Sequence, residues 1–345
     1  MTTITNIRAC QPIATNSPPD WRTSMGQILV AVDTDQGLTG FGVGGGGAAG
    51  VHVVRTVLRD QLVGRPLDPI EVRWQEMYDA TLAFGRKGLA IMALSGVDLA
   101  LWDLRGKGAG QPVAALLGGS VAKPIPTYVT VWDTIPATLV GRHRAFKIHV
   151  GNSTETTIEQ IERTVADARQ VVGPGVQLML DAWMKWTVPF TLAVARGIEQ
   201  YDVAWIEEPL SPDDLDGYAE LARACPIPIA GGEHEFTAAG FGDIIRRRLH
   251  QVLQPDACWC GGMTELVKIY RLARAHGLRV CPHRGAEPWG LHAIAALDPE
   301  PLAESGRPWM TWVEGQPEIH DGIVQVPDRP GFGVSFDPET LALLH

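Results

Sequence analysis

Two hydrophobic rhythms divide the chain. Up to about residue 50 apolar and polar positions alternate, and ILVAVDTDQGLTGFGVG carries two such runs on either side of Asp35-Gln36-Gly37, which predicts a β-hairpin. The Gly44–Gly47 run that follows reads as a mobile loop, and without a strand-to-helix pattern around it a phosphate cradle is not indicated. Residues 51–118 change to helical spacing, most clearly in LAIMALSGVDLALWDLRGKGAG, where Gly106 and Gly108 mark the exit.

From about residue 124 short apolar runs alternate with helical stretches, the pattern of βα units and a parallel sheet. The strand candidates are IPTYVTV, AFKIHV, QLMLDA, VAWIEE, IPIAGGE, QVLQPDA, LRVCPHR and a weak eighth near PLAESG. TIEQIERTVADARQVV and GGMTELVKIYRLARAHG are helices between them. A parallel set of that number closes into a barrel. Beyond residue 307 the rhythm is lost, and the segment with Pro327, Pro330, Gly331 and Gly333 is expected to fold back on the N-terminal portion. The predicted fold is therefore α/β: a modified TIM barrel, (β/α)7β-like, over 121–310, with an α+β capping domain over 1–120 that residues 311–345 complete.

Composition narrows the function classes. At 345 residues the chain exceeds the roughly 250–300 at which one core stops growing, consistent with a large domain and a smaller one. A formal net charge of −10 and the lack of a basic block argue against a nucleic-acid partner. MTTITNIRACQP lacks the apolar core of a signal peptide, and no apolar run reaches the roughly 20 residues that span a bilayer, so a cytoplasmic protein with no membrane partner is expected. Five cysteines without zinc-type spacing read as reduced thiols packed in the core.

The candidate chemistry sits at strand ends. Asp181 ends QLMLD, Glu207 lies in VAWIEE and Glu233 closes IPIAGGE, each 26 residues after the last. One βα unit of that length advances the chain by one barrel strand, so the three carboxylates stand side by side at the mouth where barrel sites form. Such a cluster repels itself unless a cation sits among its members, and hard oxygen ligands suit Mg²⁺. Glu208 competes with Glu207 for the middle position. On the next two strands Asp256 ends QVLQPD and His283 ends RVCPH, an arrangement in which a carboxylate holds an imidazole and raises its basicity. Across the ring AFKIHV supplies Lys147 and His149, two residues apart and so on one face.

These residues, with FGRKGLAIMALSGVDLALWDLRGK, LMLDAWM, WIEEPL, GGEHE, QPDACWCGG, PHRG and DRPGFGV, resemble the enolase superfamily, and more narrowly its mandelate-racemase-like group of acid-sugar dehydratases, rhamnonate dehydratases among them. The likeness spans roughly residues 60–335. It implies Mg²⁺ on Asp181, Glu207 and Glu233, choosing the first glutamate of the Glu207-Glu208 pair. It further implies the dyad Asp256–His283, and Glu304 as a donor to the substrate carboxylate or its enolate, with Glu287 and Glu314 competing for that place. Trp183, His234, Arg284 and Arg22 are candidate pocket residues.

Two departures from the family pattern stand out. Much of the group has Lys-x-Lys where this chain has Lys147-Ile-His149, which leaves either His149 or His283 as the base. The loop over 15–25, NSPPDWRTSMG, has no histidine where the rhamnonate dehydratases would have one, so the sugar can differ. The activity implied is Mg²⁺-dependent dehydration of an aldonate or aldarate to a 2-keto-3-deoxy acid by proton abstraction beside the carboxylate. A racemase, epimerase or cycloisomerase would use the same enolisation, and a barrel that binds a carboxylate without turnover is the third reading. The expected partner is a small sugar acid, and barrels of this kind often assemble into homo-oligomers.

Overall fold

The computed structural model describes residues 2–13, 21–150 and 156–344; residues 15–20 of the loop over 15–25 lie outside that range. The N-terminal unit is a three-stranded antiparallel sheet of β1 (Ile4–Cys10), β2 (Ile28–Thr34) and β3 (Thr39–Gly44). The hairpin expected at Asp35-Gln36-Gly37 joins β2 to β3, with Gly37 at φ 73°. Leu29, Val30, Ala31 and Val32 are all buried, because both faces of β2 are covered.

One cover is the helix Leu89–Ala109, apolar around most of its circumference as a fully enclosed helix must be. Glycines at every second position of β3 let it lie directly on the strand. A Cβ on Gly40 would come within 2.2 Å of the Ala100 carbonyl oxygen, and one on Gly42 within 2.2 Å of that of Gly96.

The Gly44–Gly47 run is not the mobile loop its composition suggests. β3 ends at Gly44 and the helix Gly47–Val53 begins three residues later. The glycines are required by crowding: a Cβ on Gly45 would stand 2.9 Å from Trp259 Nε1, and one on Gly47 1.9 Å from the Ser24 carbonyl oxygen.

The second sheet is the barrel. β4 (Ile125–Trp132), β5 (Ala145–His149), β6 (Gln177–Asp181), β7 (Val203–Glu207), β8 (Ile229–Gly231), β9 (Val252–Leu253) and β10 (Arg279–Val280) are parallel neighbours in chain order. The weak eighth candidate forms β11 (Ala303–Glu304), which pairs in parallel with β4. At the seam between β10 and β11, Cys281 Sγ donates to the Leu302 carbonyl at 3.5 Å.

The later strands are shorter than predicted. Glu233, Asp256 and His283 stand two to three residues beyond β8, β9 and β10 rather than within them. Pro255 and Pro282 stop the second and third of these ladders because they have no N–H to donate.

The pleat explains where the site lies. Tyr128, Ala145, Met179, Trp205, Ala230, Val252, Cys281 and Leu302, one from in or beside each barrel strand, form a single buried cluster that plugs the interior. Successive inward side chains are two residues apart. The next inward layer is therefore Thr130, Lys147, Asp181, Glu207, Gly232, Gln254, His283 and Glu304. Polar residues replace apolar ones within one step of the pleat.

β12 (Val313–Glu314) pairs with β14 (Ser335–Phe336), while β13 (Ile323–Val324) adds antiparallel to β4. This C-terminal segment packs on the N-terminal unit, where Phe336 meets Phe41 at 5.2 Å between ring centroids. Asp103, only 4% exposed, ties the two together. Its carboxylate accepts from Phe41 N and Phe332 N, both at 2.9 Å, and pairs with Lys107 at 2.6 Å. Asp103→Ala should lower stability by about 3 kcal/mol, since it leaves two backbone N–H groups and a lysine without their acceptor. An unchanged urea midpoint would contradict that account of the clamp.

The five cysteines are free thiols, four of them buried. Among the described residues no helix is long and apolar enough to cross a membrane.

Candidate active site

A cavity of about 220 Å³ opens above the polar layer. Nine of the twelve residues singled out from the sequence line it: Arg22, Lys147, His149, Asp181, Trp183, Glu233, His234, His283 and Arg284. The other three, Glu207, Asp256 and Glu304, are buried just behind that lining and hold its residues in place.

Lys147 is the hub. Its Nζ lies 2.5 Å from Glu207 Oε1, 3.0 Å from Glu304 Oε1 and 3.2 Å from Asp181 Oδ2, with 1% of the side chain exposed. Burial alone would favour the neutral amine, but the surrounding carboxylates, Glu207 foremost, hold the ammonium well above its usual range. One ammonium does not balance them. Burial, reinforced by Asp181 and Glu304, pushes the Glu207 carboxyl up to about 8 even against Lys147.

Glu207 Oε2 takes a further hydrogen bond of 2.6 Å from Gln254 Nε2. Glu304 accepts from Thr130 Oγ1 at 2.5 Å and from the Arg284 backbone N–H at 2.9 Å. Burial raises the Glu304 carboxyl, yet Lys147 and Arg284 hold it well below the usual range. Its competitors stand elsewhere: Glu314 is exposed on β12 with Ser335, and Glu287 pairs with Arg307.

The predicted dyad is present. His283 Nδ1 donates to Asp256 Oδ2 at 2.8 Å, while Nε2 lies 2.9 Å from Glu233 Oε2. Burial would lower the imidazole's affinity for a proton, but Glu233 and Asp256 outweigh it and raise His283 to about 10. His234 is raised to about 9 against the same burial penalty, by Glu233 and by Glu208, whose Oε2 lies 2.6 Å from Nδ1.

These shifts have one origin. Buried carboxylates outnumber the fixed cations, and their field raises the proton affinity of His234 and His283. A divalent cation would relieve the same imbalance. Asp181 and Glu207 are ladder partners on β6 and β7, Glu233 follows β8, and all three offer hard oxygen donors, so the donor set fits Mg²⁺. Glu208, Glu233 and His234 form a second, tighter group with ligand atoms within 4.8 Å of one another. In that group Glu208 already accepts from Gly232 N at 3.1 Å and His234 N at 3.5 Å.

His149, on β5, stacks on Trp132 at 6.0 Å and 15°. Its Nδ1 is buried without a hydrogen-bond partner among the described residues, and burial lowers its proton affinity despite Asp181. The backbone at the mouth is strained where it turns: Trp183 (φ 45°), Glu208 (φ 37°) and Arg284 (φ 53°), none of them glycine, are left-handed within two residues of Asp181, Glu207 and His283.

Sequence reading missed Thr130, Gln254, Arg307 and the indoles of Trp21, Trp132, Trp259 and Trp309. Thr130 and Gln254 were accessible through the two-residue pleat applied to the strand candidates. Arg307, in SGRPW, carries no local signal.

Comparison with known proteins identifies the family. The family model for the mandelate racemase / muconate lactonizing enzyme N-terminal domain matches residues 6–118, and the enolase C-terminal domain-like model matches 136–340. The L-rhamnonate dehydratase of Saccharopolyspora erythraea is 36% identical over 344 residues, which cover 93% of this chain and 88% of that protein. The crystal structure of the 3,6-anhydro-D-galactonate cycloisomerase from Zobellia galactanivorans superposes with a TM-score of 0.86 at 30% identity, over 99% of both chains. A racemase from Streptomyces coelicolor with bound magnesium has a TM-score of 0.87 at 32% identity, over 99% of this chain and 100% of that one. Three relatives with one scaffold thus carry three different reaction names.

Proposed function

The chain belongs to the mandelate racemase / muconate lactonizing enzyme family of the enolase superfamily, and from that membership we propose that it is a Mg²⁺-dependent dehydratase converting a sugar acid to a 2-keto-3-deoxy acid. The observation that supports this reading best is the convergence of Lys147, Asp181, Glu233 and His283 on one cavity, with Glu207 and Asp256 buried directly behind them.

A proton beside a carboxylate is weakly acidic, and its removal leaves two negative charges on the substrate. Mg²⁺ on Asp181, Glu207 and Glu233 would supply Lewis-acid stabilisation of that charge. The chain's own groups do the rest. With the Glu233 charge that raises its proton affinity offset by a cation, His283 Nε2 takes the C2 proton while Asp256 holds Nδ1–H and fixes the tautomer. Lys147 Nζ stabilises the developing enolate oxygen, and Glu304, itself anchored by Thr130 and the Arg284 backbone, orients Lys147. The C3 hydroxyl leaves with a proton from His283 or from His149. Trp132 and Trp183 flank His149 at 6.0 and 6.4 Å and limit the water that reaches it.

A second reading is favoured by one observation, that the buried Nδ1 of His149, on a strand remote from His283, has no partner among the described residues. Two bases on separate walls permit return of the proton to the other face, as a racemase or epimerase requires. Incubation of the Mg²⁺-loaded protein with mono- and diacid sugars in D₂O separates the two. The dehydratase forms a 2-keto product detectable with semicarbazide, whereas a racemase exchanges C2–H and forms none. If no acid sugar reacts by either route, the enolisation reading fails.

A further inference from the structure

A row of five groups with alternating charge runs from the barrel wall to the lining of the cavity. Glu287 Oε2 meets Arg307 Nη1 at 2.5 Å, and Arg307 Nη2 bonds Asp256 Oδ2. Asp256 Oδ2 also accepts from His283 Nδ1 at 2.8 Å, and His283 Nε2 meets Glu233 Oε2 at 2.9 Å. The first two members belong to no motif and to no step described above.

Resting on the dehydratase reading, we propose that Arg307, anchored by Glu287, is a positioning residue that sets the acceptor strength and orientation of Asp256 and through it the alignment of His283. The argument is geometric. Asp256 Oδ1 is held by Cys258 N at 2.7 Å, so the only oxygen left to orient the imidazole is the one Arg307 shares. A carboxylate oxygen that serves two donors is a weaker acceptor for each than one that serves a single donor.

Arg307 is itself immobile. Its backbone N–H donates to Glu287 Oε1 at 2.8 Å, its guanidinium lies 5.6 Å from the centroid of Trp259, and 2% of the side chain is exposed. Glu287 stands at the N-terminus of the helix Pro288–Leu297, so the row is anchored in the barrel wall rather than in a loop. A salt bridge needed only for stability would not have to share the dyad's oxygen.

The test uses the Mg²⁺-loaded full chain. The first readout needs no substrate: the low-field proton resonance of His283 Nδ1–H, assigned by its loss in His283→Asn. In Arg307→Ala it should move downfield or be lost to exchange, because Asp256 Oδ2 is left with a single donor. Arg307→Lys, which keeps the charge and folds more readily, should shift it less in the same direction. A resonance unmoved in both variants overturns the proposal.

The second readout is C2–H exchange. Replacing a group that orients a catalytic ligand costs on the order of 10- to 100-fold. That loss should fall on kcat, with KM nearly unchanged and part of the rate restored to Arg307→Ala by free guanidinium. In an Asp256→Asn background Arg307→Ala should add little. Equal losses in both backgrounds would mean that Arg307 does not act through Asp256. Failure of the wild-type protein to exchange any acid sugar would instead fall on the dehydratase reading, and the resonance would still decide the role of Arg307.

Discussion

Replacing His283 with asparagine should abolish C2–H exchange and 2-keto product formation together, lowering kcat by about 10³-fold or more while Mg²⁺ binding persists. General-base catalysis by a positioned imidazole contributes about 10²–10⁴-fold, and loss of the carboxylate that fixes the tautomer of such a histidine has cost about 10⁴-fold in a serine protease. Both features are present here: Nδ1 is committed to Asp256 Oδ2, and Nε2, which meets Glu233 Oε2 at 2.9 Å, is the nitrogen assigned to receive the proton. Asparagine fills a similar volume and can still donate to Asp256, so folding should survive. The experiment also separates the two readings. If His149 were a second base, one epimer of the substrate would still exchange its C2 proton in the variant. A variant that retained full exchange with every substrate would remove His283 from the mechanism.

Much of this site was legible before any coordinates. The spacing of Asp181, Glu207 and Glu233 works because each βα unit advances the chain by one strand, so equal separation in sequence becomes adjacency in the ring. Lys147 and His149 were legible for a second reason, that alternate residues of a strand share a face. Both rules are local and survive folding. They also give no length for a strand's last rung, so Glu233, Asp256 and His283, assigned to strand ends, stand in the turns beyond them.

What escaped needs contacts between distant segments. Arg307 meets Asp256 across 51 residues, and Trp259 closes on Gly45 from the other unit of the protein. The glycines of residues 44–47 misled for a related reason. Composition cannot distinguish glycine chosen for freedom from glycine chosen because a neighbour leaves no room for a Cβ. Glu208 is the instructive neighbour of Glu207. The two differ by one residue, hence by a face of β7, and only the structure shows one carboxylate under Lys147 and the other spent on His234 and the turn after β8.

Lys147→Met should do two opposite things, and their combination is the sharpest check on the charge balance of the site. In EDTA the variant should lose about 3–5 kcal/mol of folding stability, because removing one partner from a buried ion cluster leaves uncompensated charge. Here Glu207, Glu304 and Asp181 all lose the ammonium that lies within 3.2 Å of each. In Mg²⁺ the order reverses for the metal itself. Lys147 is a like charge that shares Glu207 Oε1 and Asp181 Oδ2 with any cation among them. Even at an effective dielectric of about 20, a unit charge 4 Å away is worth roughly 4 kcal/mol, and relief of about a third of that would already raise affinity for Mg²⁺ by roughly tenfold. Thermal unfolding with and without Mg²⁺ reads both effects, as a larger metal-induced increase in Tm for the variant than for the wild type. Activity should nevertheless fall, since Mg²⁺ cannot replace a donor directed at the enolate oxygen. Equal metal-induced shifts in the two proteins would mean that the cation does not bind among the carboxylates that Lys147 holds, and the assignment of Asp181 and Glu207 as ligands would then give way to the group formed by Glu208, Glu233 and His234.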